Sequence, residues 1–161
     1  MSNELSNSAS RVQEFLSKSG KDFDVREFSS STRTAADAAE SVGCEVGQIA
    51  KSLIFQDKKT DELVLVIASG SNRVDTKKIS KTVGFKLKQA KADLVKEKTG
   101  FAIGGIPPVA HSEPLQTILD EDLQQYAEIW AAAGTPHSVF QLTPTSLEEL
   151  TSGEWLDLRQ E

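Results

Sequence analysis

Lys51 is the residue whose type and surroundings most strongly suggest chemistry. It follows Ile49 and Ala50 directly, at the start of the mostly apolar run Ser52-Leu53-Ile54-Phe55. A lysine in this position has two alternatives. Its aliphatic stem can lie along apolar groups while the ammonium reaches water, which is the usual arrangement. The ammonium can instead be held at the mouth of a pocket, where it stabilises negative charge that develops on a substrate.

The second candidate is the loop Gly104-Gly105-Ile106-Pro107-Pro108, called here the 104–108 loop. Its glycines permit backbone conformations and close approaches that a side chain would forbid. Its prolines fix φ and remove N–H donors, which stiffens the segment. A stiff loop with bare backbone suits the recognition of a small polar group by main-chain N–H and C=O groups. A tight turn between strands would have the same composition, so a purely structural role stays open.

A metal site is the easiest chemistry to test against the sequence. His111 and His137 are 26 residues apart, they form no His-Glu-x-x-His pattern, and Cys44 is the single cysteine. A catalytic zinc usually needs three protein ligands, and one cysteine also excludes a disulfide framework within the chain. We therefore expect no metal and no cofactor, although a site made of scattered carboxylates stays open.

Two further catalytic patterns fail. The tripeptide Ala50-Lys51-Ser52 resembles the end of a phosphate-binding loop, but that pattern needs glycine where the chain has Ala50 and Glu45. The Gly-x-Ser-x-Gly elbow of serine hydrolases does not occur in the sequence. Neither a nucleotide phosphate cradle nor a serine nucleophile is predicted.

Charge is unevenly distributed along the chain. The whole sequence carries −6, yet residues 73–98 contain nine Lys or Arg and three acidic residues, which leaves −12 for the other 135 residues. Such a basic segment could meet a polyanion while the rest of the surface repels it. The competing interpretation is a pair of solvated helices, since charge runs usually mark exposed faces.

Length and composition indicate one ordinary globular domain. The chain has 161 residues, of which 38% are hydrophobic and 26% charged. The longest apolar run, residues 63–68, is far shorter than the about 20 residues of a membrane span. The first ten residues lack the basic and apolar parts of a signal peptide, so we expect a cytoplasmic protein without membrane contact. Residues 1–9 are expected to form a flexible tail, and residues 10–161 the domain.

Helical and extended patterns alternate irregularly. Val12, Phe15 and Leu16 are expected on the inner face of the first helix, and residues 63–69, apolar on both faces, are typical of a central strand. The whole pattern predicts an α+β domain with a mixed, largely antiparallel sheet covered by helices. The predicted helices span 10–19, 34–42, 75–82, 92–98 and a segment from 143; the predicted strands span 51–55, 63–69, 85–88, 115–119, 129–133 and 138–142.

Five segments, taken in order, resemble a known family. They are Thr34-Ala-Ala-Asp-Ala-Ala-Glu40, Gln48-Ile-Ala-Lys-Ser-Leu-Ile-Phe55, Arg73-Val-Asp-Thr-Lys-Lys78, Thr99-Gly-Phe-Ala-Ile-Gly-Gly-Ile-Pro-Pro108, and Gly134 through Leu142-Thr-Pro144. Their order and spacing are similar to those of the YbaK/prolyl-tRNA synthetase-associated domain family. The resemblance implies an editing domain that hydrolyses the ester of wrongly aminoacylated tRNA. Its expected substrate is tRNA(Pro) carrying alanine, cysteine, 2-aminobutyrate, serine or threonine.

The resemblance also assigns roles to residues. The family's essential lysine falls on Lys51 and its Gly-x-x-x-Pro motif on the 104–108 loop. The implied catalytic residues are Lys51, Gly104, Gly105 and Pro108; the implied substrate-binding residues are Ile106, Pro107, Gly134, His137 and Thr32; the implied tRNA-binding residues are Arg73, Lys77, Lys78 and Lys81.

Two departures from the family pattern limit what is carried over. Many relatives have an acid where this chain has Ser146, so no role of that acid transfers, and residues 109–111 replace an aromatic residue and a glycine. The expected partners are aminoacylated tRNA and prolyl-tRNA synthetase, with the chain a monomer or a homodimer. A non-catalytic module that binds aminoacyl-tRNA or a synthetase is the main alternative. A small-molecule esterase is a third, against which the basic segment argues.

Overall fold

The computed structural model describes residues 7–20, 23–32, 34–102, 104–112 and 115–160. The helices within these ranges are α1 (Asn7–Ser17), α2 (Ala35–Val42), α3 (Thr76–Val83), α4 (Ala92–Thr99) and α5 (Pro144–Thr151). The strands are β1 (Val25–Glu27), β2 (Ile49–Asp57), β3 (Leu63–Ser69), β4 (Leu87–Gln89), β5 (Gln116–Asp120), β6 (Ile129–Ala132), β7 (Ser138–Leu142) and β8 (Glu154–Leu156). Short 3-10 turns cover Val46–Gln48 and Glu121–Gln125.

All eight strands of the described residues belong to one mixed sheet. Its order is β1-β7-β6-β2-β3-β5-β8, and β4 pairs with the same edge of β2 as β6, farther along the strand. The pairs β1–β7, β2–β3, β2–β4 and β6–β7 are antiparallel, and the pairs β2–β6, β3–β5 and β5–β8 are parallel. The predicted α+β domain with a mixed, largely antiparallel sheet is confirmed.

Side-chain alternation along β3 divides the core between the two sheet faces. Leu65 and Ile67 pack on one face with α1 and with the segment that leads to the 104–108 loop. Val64 and Val66 pack on the other face with Ile79 of α3. Because every residue of β3 is buried, the prediction of a central strand covered on both sides is confirmed.

Helix ends follow the local signals in the sequence. The Thr34 side chain accepts a hydrogen bond from the Asp37 N–H (3.0 Å) at the start of α2, and Gly43, with φ +79°, ends that helix. Thr143 caps α5 in the same way, and Pro144 occupies its first turn. The cap of α2 fixes where that helix begins, and the helix packs against the start of β2, beside Ile49.

The structure corrects four expectations about the elements. Helix α1 begins at Asn7, three residues earlier than expected, and Ala9 is fully buried; residues 1–6 of the expected tail lie outside the described residues. Phe15 is 41% exposed, because the Ala9-Val12-Leu16 stripe alone faces the core. Strand β4 lies two residues later than expected, where it pairs with β2. Strand β8 was not predicted, since three residues are too short for a clear alternation.

The 104–108 loop is fixed by direct backbone contact with the turn that follows β6. Gly104 has φ +108°, a conformation that favours glycine. The Gly134 N–H donates to the Gly105 carbonyl oxygen at 2.8 Å. A Cβ on Gly105 would lie 2.5–2.7 Å from backbone atoms of Thr135. The glycines therefore allow two backbones to touch, which sets the position of the loop.

His111 supports the loop from its other end. Its Nε2 lies 2.7 Å from the Pro107 carbonyl oxygen, and because a carbonyl only accepts, Nε2 carries the proton. The ring also meets Phe101 edge-on, with centroids 6.3 Å apart. Burial lowers the pKa of His111 more than the hydrogen bond to Pro107 raises it. The neutral imidazole is thus the form that this packing favours.

We expect the Gly105→Ala substitution to lower the free energy of unfolding by about 2–3 kcal/mol, because the new methyl group collides with the Thr135 backbone. The matched control is Gly84→Ala. Gly84 has φ +86° and open space around it, so only backbone strain of about 1 kcal/mol is expected there. Urea unfolding of both variants measures the difference, and equal losses would contradict the proposed close contact.

We expect His111 to make stability fall on acidification. The unfolded histidine takes up its proton near pH 6.5, whereas the folded one does so at lower pH. The unfolded state therefore binds more protons in the window below about pH 6.5, and stability is lost as the pH falls through it. His111→Gln keeps a donor for Pro107 and cannot titrate. Its free energy of unfolding should change less between pH 7.5 and 5.5 than that of the wild type; an identical change would exclude this role.

Candidate active site

A gap in the sheet beside β2 forms the candidate site. One edge of β2 pairs with β6 at Ile49 and Ala50, and the same edge pairs with β4 from Phe55 onward. Between these points, residues 51–54 have no strand partner on this edge within the described ranges. A cavity of about 550 Å³ opens there. Unpaired backbone groups thus border a space large enough for a small ligand.

The cavity wall is largely apolar, with small side chains on one part of it and the larger side chains of β2 on another. Helix α2 contributes Ala35 and Ala38, and strands β6 and β7 contribute Ala131, Ala132 and Val139. Polar groups interrupt this surface at few places. They are Thr32 and Thr34 before α2, Lys51 and Ser52 on β2, and Gln89 at the end of β4. Such a wall is suited to a ligand in which a small apolar group is attached to a polar group.

Lys51 lies half-buried in the cavity wall. Its ammonium nitrogen Nζ donates to the carbonyl oxygen of Asn72 at 2.7 Å. Burial is the largest influence on Lys51 and lowers its pKa; the Asp120 carboxylate raises that pKa, and the Arg73 guanidinium lowers it further. The site therefore contains a partly desolvated cation with a defined hydrogen-bond partner.

Lys51 and the 104–108 loop lie on opposite faces of the sheet. Lys51 is directly opposite Ala68 on β3, so its side chain shares the face covered by α3. Ile106 packs instead in the cluster on the other face. Both residues nevertheless line the same cavity. They meet because the edge of β2 is open between them, so a ligand in contact with both must lie across that edge.

The expected catalytic and substrate-binding residues fall into two groups, those that line the cavity and those that do not. Thr32, Ile106 and the catalytic candidates Lys51 and Gly104 line the cavity. The other catalytic and substrate-binding candidates are not among its lining residues. These are Gly105, Pro107, Pro108, Gly134 and His137.

His137 has a structural contact that sequence analysis did not foresee. Its ring Nδ1 lies 3.1 Å from the carbonyl oxygen of Ser30, and its own carbonyl accepts the Phe28 N–H at 2.8 Å. Thr32 extends this pairing, because its N–H and its Oγ1 both donate to the Pro136 carbonyl oxygen. The 135–137 turn thereby holds the segment that brings Thr32 to the cavity.

The basic segment is partly neutralised by acids from elsewhere in the chain. Lys78 pairs with Asp157 at 3.3 Å, and Lys88 pairs with Asp61. Lys77 and Lys81 of α3 are exposed. Of the four expected tRNA-binding residues, Arg73 is the one whose charge lowers the pKa of Lys51 in the cavity wall.

Ser52 is a site residue that sequence analysis missed. Its Oγ is buried and has no hydrogen-bond partner among the described residues. The available signal was a small polar residue inside an apolar strand, next to the candidate lysine. A buried hydroxyl without a partner is uncommon and places Ser52 among the residues that shape this cavity.

Across the ranges that the structure describes, no three His, Cys, Asp or Glu side chains come together as a metal site would require. None of the described helices combines the length and the apolar character needed to cross a membrane.

Comparisons with known proteins identify the family. The sequence profile of the aminoacyl-tRNA editing domain matches residues 29–150. The uncharacterised protein YwhH of Bacillus subtilis is 34% identical over 148 residues, which are 91% of this chain and 94% of the relative. An Enterococcus faecalis protein named "Putative Cys-tRNA(Pro)/Cys-tRNA(Cys) deacylase EbsC" is 32% identical over 126 residues, which are 78% of this chain and 76% of the relative.

A solved structure agrees in fold and sequence. It is described as "Crystal structure of a putative trans-editing enzyme for prolyl tRNA synthetase", is 49% identical, and superposes with a TM-score of 0.92 over 98% of this chain and 100% of its own. Family profile, relatives and fold lead to one conclusion: the chain belongs to the aminoacyl-tRNA editing domain family.

Proposed function

We propose that the protein is a deacylase that acts in trans and hydrolyses the ester of mischarged tRNA. Its substrate is tRNA(Pro) carrying a small non-cognate amino acid: alanine, cysteine, 2-aminobutyrate, serine or threonine. One observation carries the proposal, namely that Lys51 and Gly104 line one cavity beside an unpaired strand edge. Membership of the editing family and the name of the Enterococcus faecalis relative support it.

The reaction needs no covalent intermediate. An aminoacyl ester is already activated, so water adds to the carbonyl carbon and the bond from that carbon to the ribose oxygen breaks. The ribose oxygen leaves with a proton that comes from the water. The products are the free amino acid and a tRNA with a free terminal hydroxyl. A protein has to orient the carbonyl, place the water and stabilise the negative charge, and a donor in a dry site contributes about 2–4 kcal/mol to this.

Each implied residue receives a role in this scheme. The Lys51 ammonium contacts the phosphate or ribose oxygens of the terminal adenosine and holds the ester. The backbone of Gly104, which lines the cavity, orients the amino acid and the water, and Gly105 and Pro108 hold that backbone in place within the loop. The separation of Lys51 and the 104–108 loop on opposite sheet faces supports this division, because the nucleotide and the aminoacyl group then extend to different sides of the β2 edge.

The cavity wall supports a preference for small amino acids. Small apolar side chains from α2, β6 and β7 line one part of the space, and Ile106 and the larger apolar residues of β2 limit it elsewhere. Thr32 lines this pocket directly, and Pro107, Gly134 and His137 act on it through the position of its loops. A pocket discriminates by about 1–3 kcal/mol per methylene group. That limited discrimination is why a synthetase benefits from a second, separate hydrolytic site.

The proposed partners are aminoacylated tRNA and prolyl-tRNA synthetase. Arg73, Lys77, Lys78 and Lys81 are proposed to contact the phosphates of the acceptor stem. Of these four, Arg73 is the one whose charge influences the pKa of Lys51. The acidic remainder of the chain, at −12, limits non-specific binding to RNA.

We expect the purified protein to deacylate at least one member of a tRNA(Pro) panel that carries alanine, cysteine, serine, threonine or 2-aminobutyrate. Lys51→Ala should lower kcat/KM on the order of 100-fold, as expected for loss of a charge-stabilising donor. Lys51→Met keeps an apolar stem without the charge and should be as inactive while remaining folded. The released amino acid, measured against uncatalysed hydrolysis, gives the rates.

Failure to hydrolyse any ester of the panel, with tRNA binding retained, would favour the alternative of a non-catalytic aminoacyl-tRNA-binding module. Hydrolysis at equal rates by the wild type and Lys51→Met would reject the role of the ammonium.

We expect deacylation to weaken steeply with salt, because contacts with phosphates release counterions. Exchange of the exposed Lys77 and Lys81 for glutamine should reduce the slope of log kcat/KM against log salt concentration by about 0.7–0.9 for each lost contact. Lys59→Gln, in the β2–β3 turn outside the basic segment, is the control and should keep the wild-type slope. A flat salt response with full activity would remove the tRNA contact from α3.

A further inference from the structure

Asp120, at the end of β5, is a buried carboxylate that the scheme above does not use. It is 1% exposed. Its Oδ2 accepts hydrogen bonds from the Ser69 N–H at 2.9 Å and from the Asn72 side-chain amide at 2.8 Å, and its Oδ1 accepts the Asp122 N–H at 2.9 Å. A buried carboxylate is retained only where several donors satisfy it, as they do here.

Asn72 connects this carboxylate to the candidate site. Its side-chain amide is held by Asp120 and also by Asp122, each at 2.8 Å. Its backbone carbonyl oxygen is the acceptor for Lys51 Nζ at 2.7 Å. Asn72 therefore connects the buried Asp120 carboxylate, through its side chain, to the Lys51 ammonium, through its backbone carbonyl.

The C-terminal segment closes over the same loop. Arg159 pairs with Asp122 at 3.3 Å and forms an isolated β-bridge with Val74. The Gln160 N–H donates to the Arg73 carbonyl oxygen, and the Asp75 N–H donates to the Leu158 carbonyl oxygen. The loop that carries Asn72 is thus held from both sides, by β5 and by the end of the chain.

Two charged groups act on the Lys51 ammonium, and they act in opposite directions. Asp120 favours the charged form and Arg73 disfavours it, while burial disfavours it most. Among the described residues, Asp120 is the anion that favours the charged form of Lys51. Without it, burial and Arg73 would both oppose the protonated state.

We propose that Asp120 is a positioning residue for Lys51: it fixes Asn72 so that the carbonyl of that residue holds the ammonium, and its buried charge balances the ammonium in the cavity wall. The catalytic consequence rests on the proposed function, because it requires that the Lys51 ammonium takes part in deacylation. The positioning itself does not depend on that function and can be measured without tRNA.

A purely structural role for Asp120 makes a different prediction. Asp120 also caps the 3-10 turn Glu121–Gln125 through the Asp122 N–H. If that were its whole role, its replacement would lower stability and leave the titration of Lys51 unchanged. The titration of Lys51 is therefore the measurement that separates the two roles.

The experiment is an NMR titration of the full chain with 13C-labelled lysine side chains, in which the Lys51 signal is assigned by its absence from Lys51→Met. Asp120→Asn keeps a side-chain oxygen that can accept from the Asn72 amide but loses the negative charge, so it should lower the pKa of Lys51. Asp61→Asn removes a carboxylate that pairs with Lys88, away from the site, and is the control that should leave Lys51 unchanged. An unchanged or raised pKa of Lys51 in folded Asp120→Asn would overturn the proposal.

A second variant covers the case in which Asp120→Asn does not fold. Asn72→Ala keeps the Asp120 charge but removes the side-chain amide that ties residue 72 to Asp120. The backbone carbonyl of residue 72 is then no longer fixed, so the Lys51 ammonium should move towards water. Its pKa should rise towards the ordinary lysine value. No change there would equally overturn the proposal.

The same variants then distinguish positioning from function. In a deacylation assay, the basic limb of the pH profile should move with the Lys51 pKa measured by NMR. If that pKa shifts as expected but the wild type deacylates nothing, the proposed function fails and the positioning role stands.

Discussion

The unpaired stretch of β2 is the constraint on which the rest of the site depends. A strand inside a sheet normally satisfies its backbone groups on both edges. Here parallel β6 and antiparallel β4 both pair with the same edge of β2, but they leave residues 51–54 free of a strand. The gap lets one cavity reach both faces of the sheet. Without it, Lys51 and the 104–108 loop would be separated by a closed layer of backbone.

Local patterns in the sequence predicted the fold well. The buried β3, the cap of α2 by Thr34 and its end at Gly43 follow from side-chain type and short-range spacing, and the structure confirms them. Phe15 was placed wrongly because the helical pattern did not distinguish the centre of the apolar stripe from its edge. Strand β8 was missed because its place depends on pairing with β5, which no local signal encodes.

The site was harder to predict than the fold. Lys51 and Gly104 were both identified from residue type and from resemblance, and they do line one cavity. Their placement on opposite faces depends on the register of β2 against β3, which a single sequence does not reveal. Asp120 lies 69 positions from Lys51 in the sequence and looks like an ordinary strand-end acid there. Residues that act through a backbone carbonyl leave almost no pattern of their own.

Residues 158–160 pack over the loop that contains Asn72, and this contact has a consequence for the candidate site. These residues contact Arg73, Val74 and Asp75, which follow directly on Asn72, the residue whose carbonyl oxygen accepts from Lys51. A substitution among residues 158–160 would therefore change the candidate site indirectly, through the loop and without contact with the cavity.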